Sequence, residues 1–297
     1  MNGVIVIDKP EGFTSFDVVA VVRRLTGQRK IGHTGTLDPN ATGVLPLLLG
    51  AATKAQDIIP NHDKRYVAGF RLGLTTDTLD IWGKTTSQCE SNASRTDIEA
   101  LLPDFTGEIE QIPPMYSAVQ VDGRRLYDLA REGIEIERKA RRITVYELRL
   151  LDFDESEQRG TLEISCSKGT YVRTLIDDIG RKLGFGAVMT SLKRTEACGF
   201  KLEDSVSLDE LKALAENGEI GTRLGSVEVF FLSCPALIVS DKQAVRFKNG
   251  GALDITRTAL AKNPPENGIV FRVKSKTGDF VGLGKITNGE LKYYKTF

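Results

Sequence analysis

The stretch KRYVAGFRLGL, from Lys64 to Leu74, alternates without a slip. Tyr66, Ala68, Phe70, Leu72 and Leu74 fall on one face, and Arg65, Val67, Gly69, Arg71 and Gly73 on the other. A β-strand turns successive side chains to opposite faces, so this pattern calls for a strand with one face on a core. GVIVI (Gly3–Ile7), ITVYELRLLDF and GTLEISC read as further strands. Helices lie between them. Thr14 or Ser15 is placed to cap one over FDVVAVVRRLTG, which Gly27 ends. RTDIEALLPDFTG predicts a short capped helix. In SKGTYVRTLIDDIGRKLG, Val172, Leu175, Ile176, Ile179 and Leu183 recur at helical spacing. Tyr171 and Arg173 then stand in the first turn, beside a strand end, where an anion can be met.

The remaining segments set the domain plan. Residues 84–97 are polar and read as a loop. Ile112–Arg142 reads as an excursion from the core: an extended stretch, a turn, a short helix and a basic segment. Past Phe231 the texture changes. Alternation broken by TGD and NGE predicts hairpins. The expected fold is α+β, a mixed and largely antiparallel central sheet with flanking helices over residues 1–232, then a small β-rich domain over 233–297.

Charge decides less than it first suggests. Forty Lys/Arg balance forty Asp/Glu, so no global field favours nucleic acid. The zero is a cancellation between segments. Residues 241–297 hold eleven Lys/Arg against five Asp/Glu, a surplus of six, and residues 203–228 hold two against seven, a deficit of five. RKARR, Arg138 to Arg142, places four positive charges in five residues. Four scattered cysteines without a CxxC pair argue against a zinc ribbon or disulfide framework, and two histidines make a metal centre improbable. The start lacks the pattern of a signal peptide, and Val44–Ala52 is too short to span a bilayer. A cytoplasmic protein with no membrane association is the expectation.

One loop stands out. IGHTGTLDPNATGVL, Ile31 to Leu45, sets a single carboxylate, Asp38, among glycines and threonines. An Asp before Pro in such a loop is, taken alone, turn chemistry. The loop lacks the GK[ST] ending of a phosphate-binding loop.

KPEG (Lys9–Gly12), GHTGTLDPNATGVL, KRYVAGFRLGLTTDTLD, PPMYSAVQVDGRRLYDLAREG and SKGTYVRTLIDDIG occur in this order. Together they closely resemble the TruB family, the bacterial tRNA pseudouridine-55 synthases, over about residues 3–200. Residues 233–297 are similar, more weakly, to that family's PUA-type RNA-binding domain. The resemblance implies a pseudouridine synthase fold. It also implies isomerisation of uridine 55 in the tRNA T-loop by a catalytic aspartate, without cofactor, metal or guide RNA. The partner is then tRNA, met at its T-arm and acceptor stem, with a monomer expected and no obligatory protein partner.

The same resemblance assigns roles. Asp38 matches the family's catalytic aspartate and Arg173 its arginine partner, which keeps a buried carboxylate ionised. Attack at C1′ and removal of a 2′ proton both remain open to that carboxylate. The target base is stacked in the T-loop and must be flipped, at a cost of roughly a few kcal/mol that aromatic stacking offsets. Tyr66 would lie against that base and assist at C5, and Tyr171 would pack or hydrogen-bond beside it. His33 would enter the T-loop in place of the flipped base, and Leu192 would border the uracil pocket. Lys9 and Pro10 match a structural motif. The excursion Ile112–Arg142 resembles a mobile thumb, with Arg124, Arg125, Arg141 and Arg142 meeting phosphates. On pattern alone each aromatic is equally a core residue, and the basic run is equally a solvated face. The rival classes are a non-catalytic tRNA-binding or folding module and a guide-RNA-dependent relative.

Overall fold

A computed structural model describes residues 1–297. Strand β1 (Gly3–Lys9) leads into helix α1 (Ser15–Thr26). Thr14 caps that helix in a reciprocal box with Asp17, and Gly27 ends it at φ 65°. Then come β2 (Ile31–His33), β3 (Thr42–Leu49) and β4 (Lys64–Leu72). The short strands β5 (Leu74–Thr76) and β6 (Thr85–Gln88) follow, then helix α2 (Arg95–Leu101) and β7 (Gly107–Gln111). Within 112–142 lie the two-residue strands β8 (Gln120–Val121) and β9 (Arg124–Arg125) and helix α3 (Leu126–Arg131). The chain returns through β10 (Arg141–Asp154), β11 (Arg159–Cys166), α4 (Val172–Lys182), β12 (Ala187–Ala197), β13 (Phe200–Lys201) and α5 (Leu208–Glu216).

Nine of these strands form one sheet along the path β1-β3-β12-β4-β11-β10-β7, with β2 on β3 and β13 on β12. Every pairing is antiparallel except β3 with β12, where Lys193 faces Thr42 and Arg194 faces Gly43. That parallel pairing brings the segment after β2 beside a strand that lies some 150 residues further along the chain.

The core sits on both sides of the sheet. Tyr66, Ala68, Phe70 and Leu72 pack one face against Val172, Leu175, Ile176 and Ile179 of α4. Leu183, the fifth residue of the expected stripe, is the C-cap and only partly buried. In β1 and β3, Ile5, Ile7, Leu45 and Leu47 meet Val18, Val19 and Val22 of α1 and Leu211 of α5, while the alternate residues Val4, Val6, Val44 and Leu48 enter the core on the opposite face.

A second sheet holds β14 (Ala236–Ile238), β15 (Leu253–Asp254), β16 (Val270–Lys274), β17 (Phe280–Thr287) and β18 (Glu290–Lys295), beside helix α6 (Asp241–Lys248). Its turns fall at the TGD and NGE breaks, the second with Asn288 and Gly289 both at positive φ. Phe280, Leu283 and Phe297 join Phe231 in a core shared with β1 and β3, and Glu228 pairs with Arg272 and Lys274. No helix is long and apolar enough to cross a membrane.

Three expectations fail locally. The Lys64–Leu74 strand breaks at Gly73, whose φ is 77°, and the chain swings away to build a hairpin. The second arm of that hairpin, β6, lies in the polar 84–97 stretch expected to be loop. All four of its residues are exposed, so no apolar alternation marks it and the ladder with β5 alone defines it. Tyr171 is the N-cap of α4, not part of its first turn.

Gly43 is a position that only glycine satisfies. Its φ is 102°, and a Cβ there would lie 2.1 Å from the Arg194 carbonyl oxygen. Gly43→Ala should therefore cost about 2 kcal/mol or more, read as a lowered urea midpoint at constant slope. An unchanged midpoint would mean that the β3–β12 pairing yields at no cost.

Candidate active site

Between the loop after β2, strand β4 and the start of α4 lies a cavity of about 550 Å³, with Asp38, Tyr66, Tyr171, Arg173 and Leu192 in its walls. Asp38 and Arg173 stand 135 residues apart in sequence and meet at two points. Arg173 Nε lies 2.9 Å from Asp38 Oδ2, and Nη2 donates to Oδ1 at 3.3 Å. A planar guanidinium suits this two-point grip on a carboxylate. The Arg173 side chain is 6% exposed and that of Asp38 40% exposed, so the carboxylate keeps an open side towards the cavity.

Arg173 is fixed by more than its partner. Nη1 donates to the Thr78 carbonyl and Nη2 to the Tyr116 carbonyl, both at 2.9 Å. Asp80 Oδ2 lies 3.7 Å from Nη1. Burial pushes the Asp80 carboxyl up, while the Thr78 hydroxyl and Arg173 pull it back.

The Asp38 loop is braced from three directions. Ser15 Oγ accepts from the Leu37 N–H at 2.9 Å and donates to the Leu37 carbonyl at 3.2 Å. Lys9, fully buried, donates to the carbonyls of Pro10, Phe13 and Pro39 at 2.5–2.9 Å. Burial pulls its ammonium down to about 8, with Asp38 acting in the opposite direction. Arg194, also fully buried, donates to the carbonyls of Val44 at 2.7 Å, Gly35 at 3.1 Å and Thr36 at 3.4 Å. A bulge in β12 falls directly after Arg194, where it re-aims the strand beside the site.

Tyr66 sits between Ile164 and Arg194 in the sheet and is 6% exposed. Burial pushes its phenol up to about 12, against the pull of Arg194. It is therefore neutral at physiological pH, which disfavours it as a base at C5 and suits it to packing. Leu192, opposite Ala68, is 8% exposed. Tyr171 is partly exposed at the mouth.

Three expected residues stand apart from the cavity. His33 pairs with Leu47 at the end of β2, outside the walls, with its Nδ1 buried and unpartnered. Burial, then Arg194, lowers its pKa, so the ring is neutral at pH 7. Arg141 and Arg142 lie exposed at the start of β10, facing Gln111 and Glu110, so the strand begins two residues before the expected start at Ile143 and takes in the end of the basic segment.

Sequence reasoning passed over Lys64, His62, Asp80, Tyr116 and Arg194. Lys64 lines the cavity, donates to the His62 carbonyl at 2.7 Å, and has its pKa lowered by burial and then by Arg194. Asp80 closes the KRYVAGFRLGLTTDTLD motif, but its nearness to Arg173, far along the chain, leaves no mark in the sequence. Arg194 gives none, because nothing in MTSLKRTEACGF marks one of two adjacent cations as buried. No group of three or more His, Cys, Asp or Glu is placed to hold a metal ion.

Known proteins align with the chain along its whole length. Residues 23–172 match the model of the TruB family pseudouridylate synthase N-terminal domain. Residues 173–227 match the tRNA pseudouridylate synthase B C-terminal domain, and 235–293 the pseudouridine synthase II TruB C-terminal domain. A tRNA pseudouridine synthase B of Pseudomonas fluorescens is 44% identical, covering 97% of this chain and 92% of its own. The protein of that name in Clostridium kluyveri is 39% identical over the whole of both chains. The crystal structure of an archaeal box H/ACA Nop10–Cbf5 complex superposes with a TM-score of 0.72 at 26% identity, covering 99% of this chain and 86% of that one. With the family model matched across half the chain and relatives of this identity end to end, the chain belongs to the TruB family of pseudouridylate synthases.

Proposed function

We propose that this protein converts a uridine of tRNA, position 55 in the T-loop, to pseudouridine, with Asp38 as the catalytic carboxylate. The observation that carries this reading is the two-point Asp38–Arg173 pair at the wall of a cavity large enough for one base. The relatives named tRNA pseudouridine synthase B supply the substrate class. Position 55 rests on the family resemblance.

The reaction is an isomerisation. The C1′–N1 bond breaks, the base turns, a C5–C1′ bond forms, C5 gives up its proton and N1 gains one. Nothing is oxidised or added, so side chains suffice. The base leaves its stack and enters the cavity between Tyr66 and Leu192. Its sugar then meets the open side of Asp38. Attack at C1′ and removal of the 2′ proton both require a carboxylate oxygen there, and Arg173 holds the carboxylate in place at two points. Tyr66, neutral and buried, offers its ring as a packing face, and Tyr171 guards the mouth.

The segment 112–142 acts as a thumb over the T-arm, and residues 233–297 reach the acceptor stem by phosphate and shape contacts. His33, next to the cavity-lining Thr34, is a neutral ring available to fill the gap left in the T-loop.

Three measurements test this. On an unmodified tRNA transcript, without guide RNA, Asp38→Asn should lower the rate at least about a thousandfold while binding tRNA within about threefold of wild type. Retained turnover would sink the assignment. Tyr66→Phe should leave the alkaline side of the pH–rate profile unchanged up to about pH 10, because a phenol pushed up to about 12 stays protonated throughout that range. An alkaline limb that vanishes in this variant would make Tyr66 a titrating base. Replacing Arg141 and Arg142 together by Glu should reduce the salt slope of tRNA binding by about one for each phosphate that is no longer neutralised. An unaltered slope would assign them to a solvated face.

A further inference from the structure

Gln111 is the last residue of β7, at the neck where the 112–142 segment leaves the sheet and where Arg141 returns beside it. It is 3% exposed and does not line the cavity. Its carboxamide makes two hydrogen bonds to one residue 60 positions away: the Tyr171 N–H donates to Oε1 at 2.8 Å, and Nε2 donates to the Tyr171 carbonyl at 3.1 Å. A carboxamide offers one donor and one acceptor side by side, as a neighbouring strand does. The Tyr171 N–H thus has this side chain as its partner, while the Tyr171 carbonyl also accepts from the Leu175 N–H at 3.1 Å in the first turn of α4, so loss of Gln111 leaves the N–H unpaired.

The position of that grip matters. Tyr171 is the N-cap of α4 and provides no side-chain cap itself. The helix start is therefore set by a residue from another element. Arg173 stands two residues on, and a guanidinium–carboxylate fork is sensitive to small displacement. The partner carboxylate is held by the same device, since Ser15 Oγ grips both backbone groups of Leu37, directly before Asp38.

We propose that Gln111 is a positioning residue of the isomerisation: by clamping both backbone groups of Tyr171 it fixes the start of α4 so that Arg173 meets Asp38 in register. This rests on the reading that Asp38 and Arg173 carry the reaction. Gln111 touches neither RNA nor the reacting atoms. It acts through Arg173 and ties that residue's placement to the neck of the thumb.

The test is a double-mutant cycle on the full-length protein. Gln111→Leu is close in size and removes both bonds. Gln111→Glu keeps the acceptor for the Tyr171 N–H and removes the donor to its carbonyl. Single-turnover rate on tRNA transcript and tRNA affinity are measured for each, alone and with Arg173→Lys. The expected result is a rate at least about tenfold lower for Gln111→Leu and intermediate for Gln111→Glu, with affinity within about threefold of wild type. In the Arg173→Lys background, removing Gln111 should add less than about twofold, because its effect passes through the group already changed. Full rate in the Gln111 variants, or losses that multiply in the double variant, would overturn the proposal. If Gln111→Leu does not fold, the same comparison is made with Gln111→Glu, and full or multiplying effects there overturn it equally. An Asp38→Asn control separates the two readings. Product from that variant removes the catalytic assignment, whereas an inactive Asp38→Asn beside fully active Gln111 variants removes only this one.

Discussion

The ion pair between Asp38 and Arg173 joins two parts of the chain that share no element. One partner rides on a loop between short strands, the other on the first turn of α4. Neither location is rigid unaided. The surrounding polar groups make sense as the means of holding this one pair in register. Ser15, Lys9 and Arg194 direct their side-chain hydrogen bonds to carbonyls and an N–H of residues 10–44. Gln111, Thr78 and Tyr116 do the equivalent for the arginine side. Binding constellations succeed when the first set of side chains is itself locked by a second set.

The electrostatics follow from the same arrangement. Lys9 and Arg194 are cations with no carboxylate in contact, solvated by backbone dipoles. They stand beside a cavity whose walls hold Lys64, Lys168 and Arg173 together with Asp38 and Asp57. Lys64 and His33 answer by shifting towards their neutral forms, each with Arg194 as a cause after burial. Asp38 keeps its exposed side towards this cavity. A chain of zero formal charge thus still gathers several cations around one cavity.

Much of this was legible in the residues. The alternation of Tyr66, Ala68, Phe70 and Leu72 marked the core face, and the stripe of Val172, Leu175, Ile176 and Ile179 marked the helix packed on it. Glycine and threonine punctuation marked α1, and NGE marked the last hairpin. The motifs named Asp38 and Arg173. What escaped has a common cause. β6 is exposed on every residue, so its pairing leaves no trace in hydrophobic periodicity. Arg194, Gln111 and Asp80 act through sequence-distant partners, and a polar residue's spelling does not disclose what it will bond. His33, expected to enter an RNA loop and not to line the cavity, lies in β2 opposite Leu47 and beside the cavity-lining Thr34.

The parallel pairing of β3 with β12 has a consequence for biosynthesis. The carbonyls of Gly35, Thr36 and Val44 find their donor only when residue 194 arrives, some 150 positions later. A ribosome releases the loop bearing Asp38 long before it releases β12, and contacts so distant in sequence close late. Until then the loop lacks its central support, and the helix that carries Arg173 has only just emerged. The support that Arg194 gives the Asp38 loop can therefore form only after β12 has emerged, with β13 following to complete the sheet.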